Sequence, residues 1–317
     1  MFKTINIINM KLVVLSFVGR KISMEILFKL ILKYKKHIDE YRLYVATTIK
    51  SDIDYIENFA KENSFVKLMY CIVDNKIILD NKELIWDYAY NSCKEEDIVY
   101  LKLDDDIVYF DETLFTDFIQ YRINNRKAPL LYPVIINNLF VSYYLQEQNK
   151  INHPLKTNIG NTWKTTYQYI KPQILECVNN STDLKIGELV KTQNEILCPV
   201  SWGNFNYCYS LHNQFIIDVC NNNVKKYYLN ENIILENGEP VSINVCSWIG
   251  EDLKKYTDKY GNVYKDEPWL SIYLPTWSGN NNEIYSKCVV SHYAYYIQRE
   301  KGLDNTDIIK RYKELLS

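Results

Sequence analysis

The chain has 317 residues, 47% of them apolar, with 37 Lys and Arg against 39 Asp and Glu. That apolar share can bury a full core, which excludes wholesale disorder. The formal net charge of −2 excludes a general nucleic-acid binder, whose phosphate affinity needs surplus positive charge.

In chain order, Lys11 to Val18 reads as a buried strand. Ile22, Ile26, Leu27, Leu30, Ile31 and Tyr34 then recur at helical spacing. Arg42 to Thr48 is a second strand, and Ser51 caps a short helix carrying Ile53, Ile56 and Phe59. Phe65 to Ile72 is a third strand; Leu84, Ile85, Tyr88 and Ala89 mark the next helix. Asp97 to Leu103 is a fourth strand, Asp111 caps a helix running to about Asn124, and Leu130 to Ile136 is a fifth strand. Pro133 suggests that this fifth strand is an edge or carries a bulge. From about 138 to 239 the pattern loosens. Regular structure resumes with a strand from Val241 to Trp248, helices starting near Glu251 and at Asp266, a strand from Lys287 to Ser291, and a terminal helix from Asp304 to Leu316.

This order predicts an α/β fold of Rossmann-like type, a mostly parallel sheet with helices on both faces. The expected organisation is a single domain over 1–317, with a ligand-binding half at 8–137 and a second half at 138–317. In such sheets ligands sit outside the carboxyl ends of the strands. The chemistry is therefore expected after Val18, after Thr48 and after Leu103. Neither a P-loop nor a dinucleotide glycine fingerprint is present, and only 9 glycines occur. The eight cysteines form no C-x-x-C and sit in apolar segments, which reads as buried thiols of a cytoplasmic protein. The apolar run Leu12 to Val18 is too short to span a membrane, and Gly19-Arg20-Lys21 is no signal-peptide cleavage site. The overlapping sequons at Asn179 and Asn180 read as chance in an Asn-rich chain.

The most informative stretch is Asp104-Asp105-Asp106 at the end of the fourth strand. Adjacent carboxylates repel one another and raise each other's pKa, and a divalent cation removes that repulsion. Hard oxygen ligands suit Mg²⁺ or Mn²⁺, ions that also bind substrate phosphates. In extended backbone Asp104 and Asp106 point to the same side, and Asp105 points elsewhere. Two enzyme classes place D-x-D here. One is the haloacid-dehalogenase type of phosphohydrolase, whose D-x-D-x-[TV] pattern Asp104 to Val108 fits, although that motif belongs on a first strand. The other is the nucleotide-sugar glycosyltransferases. A non-catalytic carbohydrate- or nucleotide-binding protein on the same fold is the third reading.

The stretch Tyr100-Leu101-Lys102-Leu103-Asp104-Asp105-Asp106 resembles the D-x-D segment of GT-A glycosyltransferases, in particular a little-characterised group in fungi, bacteria and large DNA viruses. Further matching stretches are Val18 to Lys21, Ile38 to Thr48, Val134 to Asn138, Ser247 to Asp252, Asp266 to Leu270 and Val290 to Arg299. The resemblance implies a GT-A-like fold and transfer of a sugar from a UDP- or GDP-sugar to a glycan or a protein- or lipid-linked acceptor. It implies Mn²⁺ or Mg²⁺ on Asp104 and Asp106, with His292 as a further ligand, and Asp105 near the donor sugar or ribose. It also implies that Arg20 pairs with the diphosphate and that Thr47 and Thr48 approach the nucleoside. For an inverting reaction it calls for a carboxylate base, for which Glu251-Asp252 and Asp266-Glu267 are the candidates. Trp202, Trp248, Trp269 and Trp277 are candidates for stacking on a sugar, against the competing reading of core tryptophans.

Overall fold

Strand β1 (Lys11–Val18) is apolar at all but two positions, and every residue after Lys11 is buried. Such a run suits a parallel strand covered on both faces. The helix Lys21–Tyr34 returns along the sheet, burying Met24, Ile26, Leu27, Phe28, Leu30 and Ile31. β2 (Glu40–Val45) pairs parallel to β1. After the helix Lys50–Glu62, β3 (Val66–Met69) pairs parallel to β2. The expected third strand stops early. Asp74 and Asn75 adopt positive φ of 51° and 61°, and the chain turns into a two-stranded hairpin of β4 (Cys71–Val73) and β5 (Lys76–Ile78). The helix Lys82–Ser92, capped by Asn81, leads to β6 (Ile98–Leu103), which pairs parallel to β1.

The computed structural model describes residues 10–151, 205–236, 239 and 241–316. Trp202, Cys177, Cys198 and the two sequons lie outside them. A short strand absent from the expected order, β7 (Ile107–Phe110), follows directly on the Asp triplet. Asp111 caps a turn at Glu112–Leu114 rather than the helix itself, which runs Asp117–Asn124. β8 (Leu131–Ile136) is buried throughout. Among its described residues the loosened stretch contains the helices Leu139–Glu147 and Phe205–Cys220 and a two-residue strand β9 (Ile233–Ile234). β10 (Val245–Ile249) precedes the helix Gly250–Tyr260, and a helical segment at 266–278 leads to β11 (Glu283–His292). The terminal helix is shorter than expected, Ile308–Glu314.

The result is a mixed α/β fold with a mostly parallel central sheet, ordered β3-β2-β1-β6-β10-β8-β11-β7, with β9 added to β11. β10 runs antiparallel to both β6 and β8, while β8 and β11 pair parallel. Two reversals restore direction, so β8 and β11 point the same way as β6. Pro133 is therefore interior to the sheet, not on an edge. The other half of its expectation matches the register: β11 slips between Ile284 and Val289, opposite Tyr132 and Val134 on either side of Pro133. A proline has no N–H to give the ladder at that point.

Strand direction places the site. The carboxyl ends of β1, β2, β6, β8 and β11 meet at one edge of the sheet. β10 contributes its amino end there, where Val245 lies opposite Leu103. Its carboxyl end, Ile249 opposite Val99, lies at the far edge.

A candidate metal and donor cleft

Asp105 and Asp106 are buried, at 4% and 2% exposure, although both are carboxylates. Their partners come from separate elements. Asp105 Oδ2 accepts from the Gly19 N–H at 3.1 Å, and Oδ1 accepts from Arg20 Nε at 2.9 Å. Burial pushes the Asp105 carboxyl up, with Arg20 opposing. Gly19 permits this contact: a Cβ there would lie 2.9 Å from the Ala46 carbonyl oxygen, so only glycine lets the ends of β1 and β2 approach.

Asp106 has two different oxygens. Oδ2 lies 3.0 Å from Arg299 Nη2 and 3.2 Å from Arg20 Nη2. Oδ1 is fully buried and makes no hydrogen bond. Burial alone would raise this carboxyl, but Arg20, His292 and Arg299 hold it far below the usual carboxylate range. His292 ends β11 and puts Nε2 3.4 Å from Asp106 Oδ1. Its Nδ1 lies 3.3 Å from the Asn137 carbonyl oxygen, which can only accept. In that tautomer the proton sits on Nδ1, and Nε2 turns a lone pair toward a carboxylate oxygen. A proton on Nε2, which completes an ion pair with Asp106, or a metal cation bound between the two atoms would each relieve the repulsion between these acceptors. One ligand atom each from Asp104, Asp106 and His292 falls within 4.8 Å of the others, so these residues could hold a metal ion. The orphaned Asp106 Oδ1 and the oxygen-and-imidazole donor set fit a divalent cation.

Beside this group opens a cleft of about 430 Å³. Its walls carry the carboxylates of Asp104, Asp105, Asp266 and Glu267, the cations Arg20, Lys82 and Lys102, and the rings of Phe17 and Trp86. Lys102 is 3% exposed, and its Nζ donates to Asp104 Oδ1 at 2.6 Å and to the Ile243 carbonyl. Burial would lower this ammonium, but Asp104, with Asp266 further off, raises it on balance. Asp104 Oδ2 accepts from Asn244 Nδ2 at 3.2 Å, and the Asp104 N–H donates to the Asn244 carbonyl at 2.9 Å. Asp266 and Glu267 begin the helical segment that follows the long loop from the far edge. Burial pushes Asp266 up to about 6. Burial, then repulsion from Asp266, pushes Glu267 up to about 7. Lys102 opposes both shifts.

The structure thus brings together Arg20, Asp104, Asp105, Asp106, His292, Asp266 and Glu267. Thr47 also lines the cleft, where its hydroxyl accepts from the Ile49 N–H at 3.1 Å; Thr48 is exposed and outside the cleft lining. Asp252 does not join the site. It lies in the first turn of the helix after β10, at the far edge of the sheet. A Cβ on the neighbouring Gly250 would clash with the Glu95 carbonyl, upstream of β6. Asp252 is held there by Arg126, through Nε at 2.9 Å and Nη2 at 2.6 Å, and Glu251 shares the same guanidinium. Trp248 is a core residue, 1% exposed, stacked on Tyr100 and donating its indole N–H to the Cys93 carbonyl. Trp269 is buried, and Trp277 stacks on Tyr273 and Tyr260.

Seven contributors escaped the sequence reading: Lys102, Lys82, Asn244, Arg299, Asn137, Phe17 and Trp86. Lys102 carried a signal, being the one charged side chain in an apolar strand. The others are ordinary residues made relevant by where the chain returns.

No family model matches the chain, and no curated protein matches it. Among solved structures it is similar to 4-diphosphocytidyl-2C-methyl-D-erythritol synthase from Anaerococcus prevotii DSM 20548. The TM-score is 0.40 and the identity 11%, over 98% of this chain and 97% of that one.

Proposed function

We propose that this protein is a divalent-cation-dependent glycosyltransferase that takes a nucleoside diphosphate sugar, a UDP- or GDP-sugar, as donor. The observation that carries the reading is the Asp104, Asp106 and His292 group, whose buried Asp106 Oδ1 takes no hydrogen bond, beside a cleft lined by four carboxylates. A divalent cation would offset the repulsion between these carboxylates and a diphosphate. Mn²⁺ or Mg²⁺ bound there would supply charge neutralisation for a departing diphosphate. Arg20, already turned into the cleft mouth, is placed to pair with phosphate oxygens. Asp105 anchors Arg20 and the backbone of Gly19, fixing the phosphate side of the cleft. Thr47, Phe17 and Trp86 form the wall available to the nucleoside.

The acceptor end belongs to Asp266 and Glu267. A carboxyl that titrates near neutrality can take a proton from an attacking hydroxyl without being either permanently charged or permanently protonated. In this reading Lys102, bonded to Asp104 and opposing the upward shift of both carboxyls, sets that balance. The first half of the chain then holds the donor, and the second half supplies the base and the glycan or lipid- or protein-linked acceptor surface. The phosphohydrolase reading has less support. Its D-x-D motif belongs on a first strand, whereas Asp104 follows β6.

Thermal-shift measurements with UDP, GDP and CDP, each with and without Mn²⁺, test the donor class. One nucleoside diphosphate should stabilise the protein only when Mn²⁺ is present, by about 2.7 kcal/mol at a hundredfold excess over Kd. Asp106→Asn should weaken Mn²⁺ binding by at least about 100-fold while the protein stays folded. Equal stabilisation of this variant, or stabilisation without metal, would remove the basis of the reading.

A further inference from the structure

A second cavity, of about 340 Å³, lies at the edge strand β7, and none of its lining residues lines the donor cleft. The helix Lys21–Tyr34 provides Leu30, Lys33 and Tyr34, and β7 with the turn after it provides Tyr109 and Asp111. The connection after the helix Phe205–Cys220 closes the cavity with Lys225 and Tyr228. Its size falls in the range of small-molecule sites.

The polar groups here are left over from folding. The hydroxyls of Tyr34, Tyr109 and Tyr228 make no hydrogen bond among the described residues. Asp111 uses Oδ1 for the Thr113 N–H and hydroxyl, and its Oδ2 takes no hydrogen bond among them. Lys33 lies over the Tyr34 ring at 5.4 Å, and neither it nor Lys225 forms an ion pair among the described residues. Elsewhere in this protein comparable groups are used: Tyr41 bonds Ser16, Tyr227 bonds Asp218, and Tyr144 bonds Glu239. Burial, then the nearby Asp111 carboxylate, raises all three tyrosine hydroxyls, so they stay protonated and able to donate.

The mixture of charges selects the ligand. An anion would meet the unshared Asp111 oxygen. A cation would meet two rim lysines. A group of hydroxyls suits both, because each hydroxyl donates to Asp111 and accepts from lysine or tyrosine. Tyrosine rings beside Val108, Val219 and Leu315 offer flat apolar surface, which matches the C–H faces of a sugar ring. We propose that this cavity is a saccharide-binding site, separate from the donor cleft. It holds one sugar residue by tyrosine stacking and by hydrogen bonds to Asp111, Lys33 and Lys225.

The inference does not depend on the transferase reading and is tested without turnover. Ligand-observed NMR and calorimetry on the full chain would use the methyl glycosides of glucose, galactose, mannose and N-acetylglucosamine as probes. Tetramethylammonium and inorganic phosphate serve as the cationic and anionic comparisons. At least one glycoside should bind in the millimolar range, in the presence or absence of UDP and Mn²⁺. Tyr228→Phe and Asp111→Asn should each weaken that binding about tenfold with an unchanged melting temperature, because the first keeps the ring and the second keeps the Oδ1 acceptor. Tyr109→Ala, which removes a ring, should abolish it. No glycoside binding, binding that all three variants leave intact, or selective binding of tetramethylammonium or phosphate would each overturn the assignment.

Discussion

The two ends of strand β10 carry acidic pairs of similar sequence and opposite character. At its carboxyl end, Glu251 and Asp252 share Arg126, and Lys255 adds a second cation to Glu251 at 2.7 Å. These contacts, Lys255 first and then Arg126, hold the Glu251 carboxyl below its usual range. At the amino end, Asp104, Asp266 and Glu267 gather around a single buried ammonium, Lys102, and burial drives the last two upward. A paired acidic cluster at the start of a helix is structure completed. A crowded one with too few cations is unstable by itself and retains capacity for a proton, a metal ion or a substrate hydroxyl. The difference lies in partners brought by the fold, not in the acids.

The largest effect that would sharpen this contrast is on turnover. Glu267→Gln, or Asp266→Asn if that member is the base, should slow transfer by about 10²–10⁴-fold while nucleotide binding is retained. The base works unprotonated, so the wild-type rate should rise with pH through an apparent value between about 6 and about 7. Stability has the opposite sign. Both carboxyls bind a proton more tightly in the folded chain than in the unfolded one. Their contribution to stability therefore grows as pH falls from about 7 toward about 4.5. Denaturant titrations across that range should show this gain, and Glu267→Gln should reduce it. Full activity in both variants would erase the distinction between the two ends.

A middle-sized effect is expected at Lys102. Lys102→Met leaves the amino-end carboxylates without their shared cation, which should cost about 3 kcal/mol in urea denaturation. It should also move the apparent pKa of the rate profile to higher pH, since repulsion then goes unopposed. A stability loss with no shift in the profile would make Lys102 a packing residue only.

The smallest effect belongs to the carboxyl end. Asp252→Asn loosens a part-exposed pair with Arg126 and should cost under about 1 kcal/mol, with turnover per folded molecule unchanged. A turnover loss as large as that of Glu267→Gln would reverse the assignment of the two ends.

Much of this was legible in the chain. The alternation from Lys11 to Leu103 announces parallel strands with covering helices, because strands buried on both faces must be continuously apolar and their crossovers must be amphipathic. The Asp triplet marks a candidate cation site by its internal repulsion, and its position after a buried strand places it at the carboxyl end of the sheet, where such folds bind ligands. The helix Phe205–Cys220 was also available, with Tyr207, Leu211 and Phe215 four apart, but Asn and Tyr between them blur the stripe. The hairpin of β4 and β5 was hidden because Asp74-Asn75 turns the chain without glycine.

Sequence by itself thus determined the four parallel strands of the first half, the helices between them and the identity of the acidic strand end. It could not determine the direction of β10, because a five-residue buried strand has the same pattern whichever way it runs. Tertiary structure decided that direction, and with it which acidic pair reaches the cleft. It also decided the partners of each acid: Arg299 from the far end of the chain, Asn137 behind His292, and one lysine among three carboxylates. Such partners come from chain segments tens to hundreds of residues apart. Electrostatic balance depends on distance in space and on burial, and neither is written in the local order of residues.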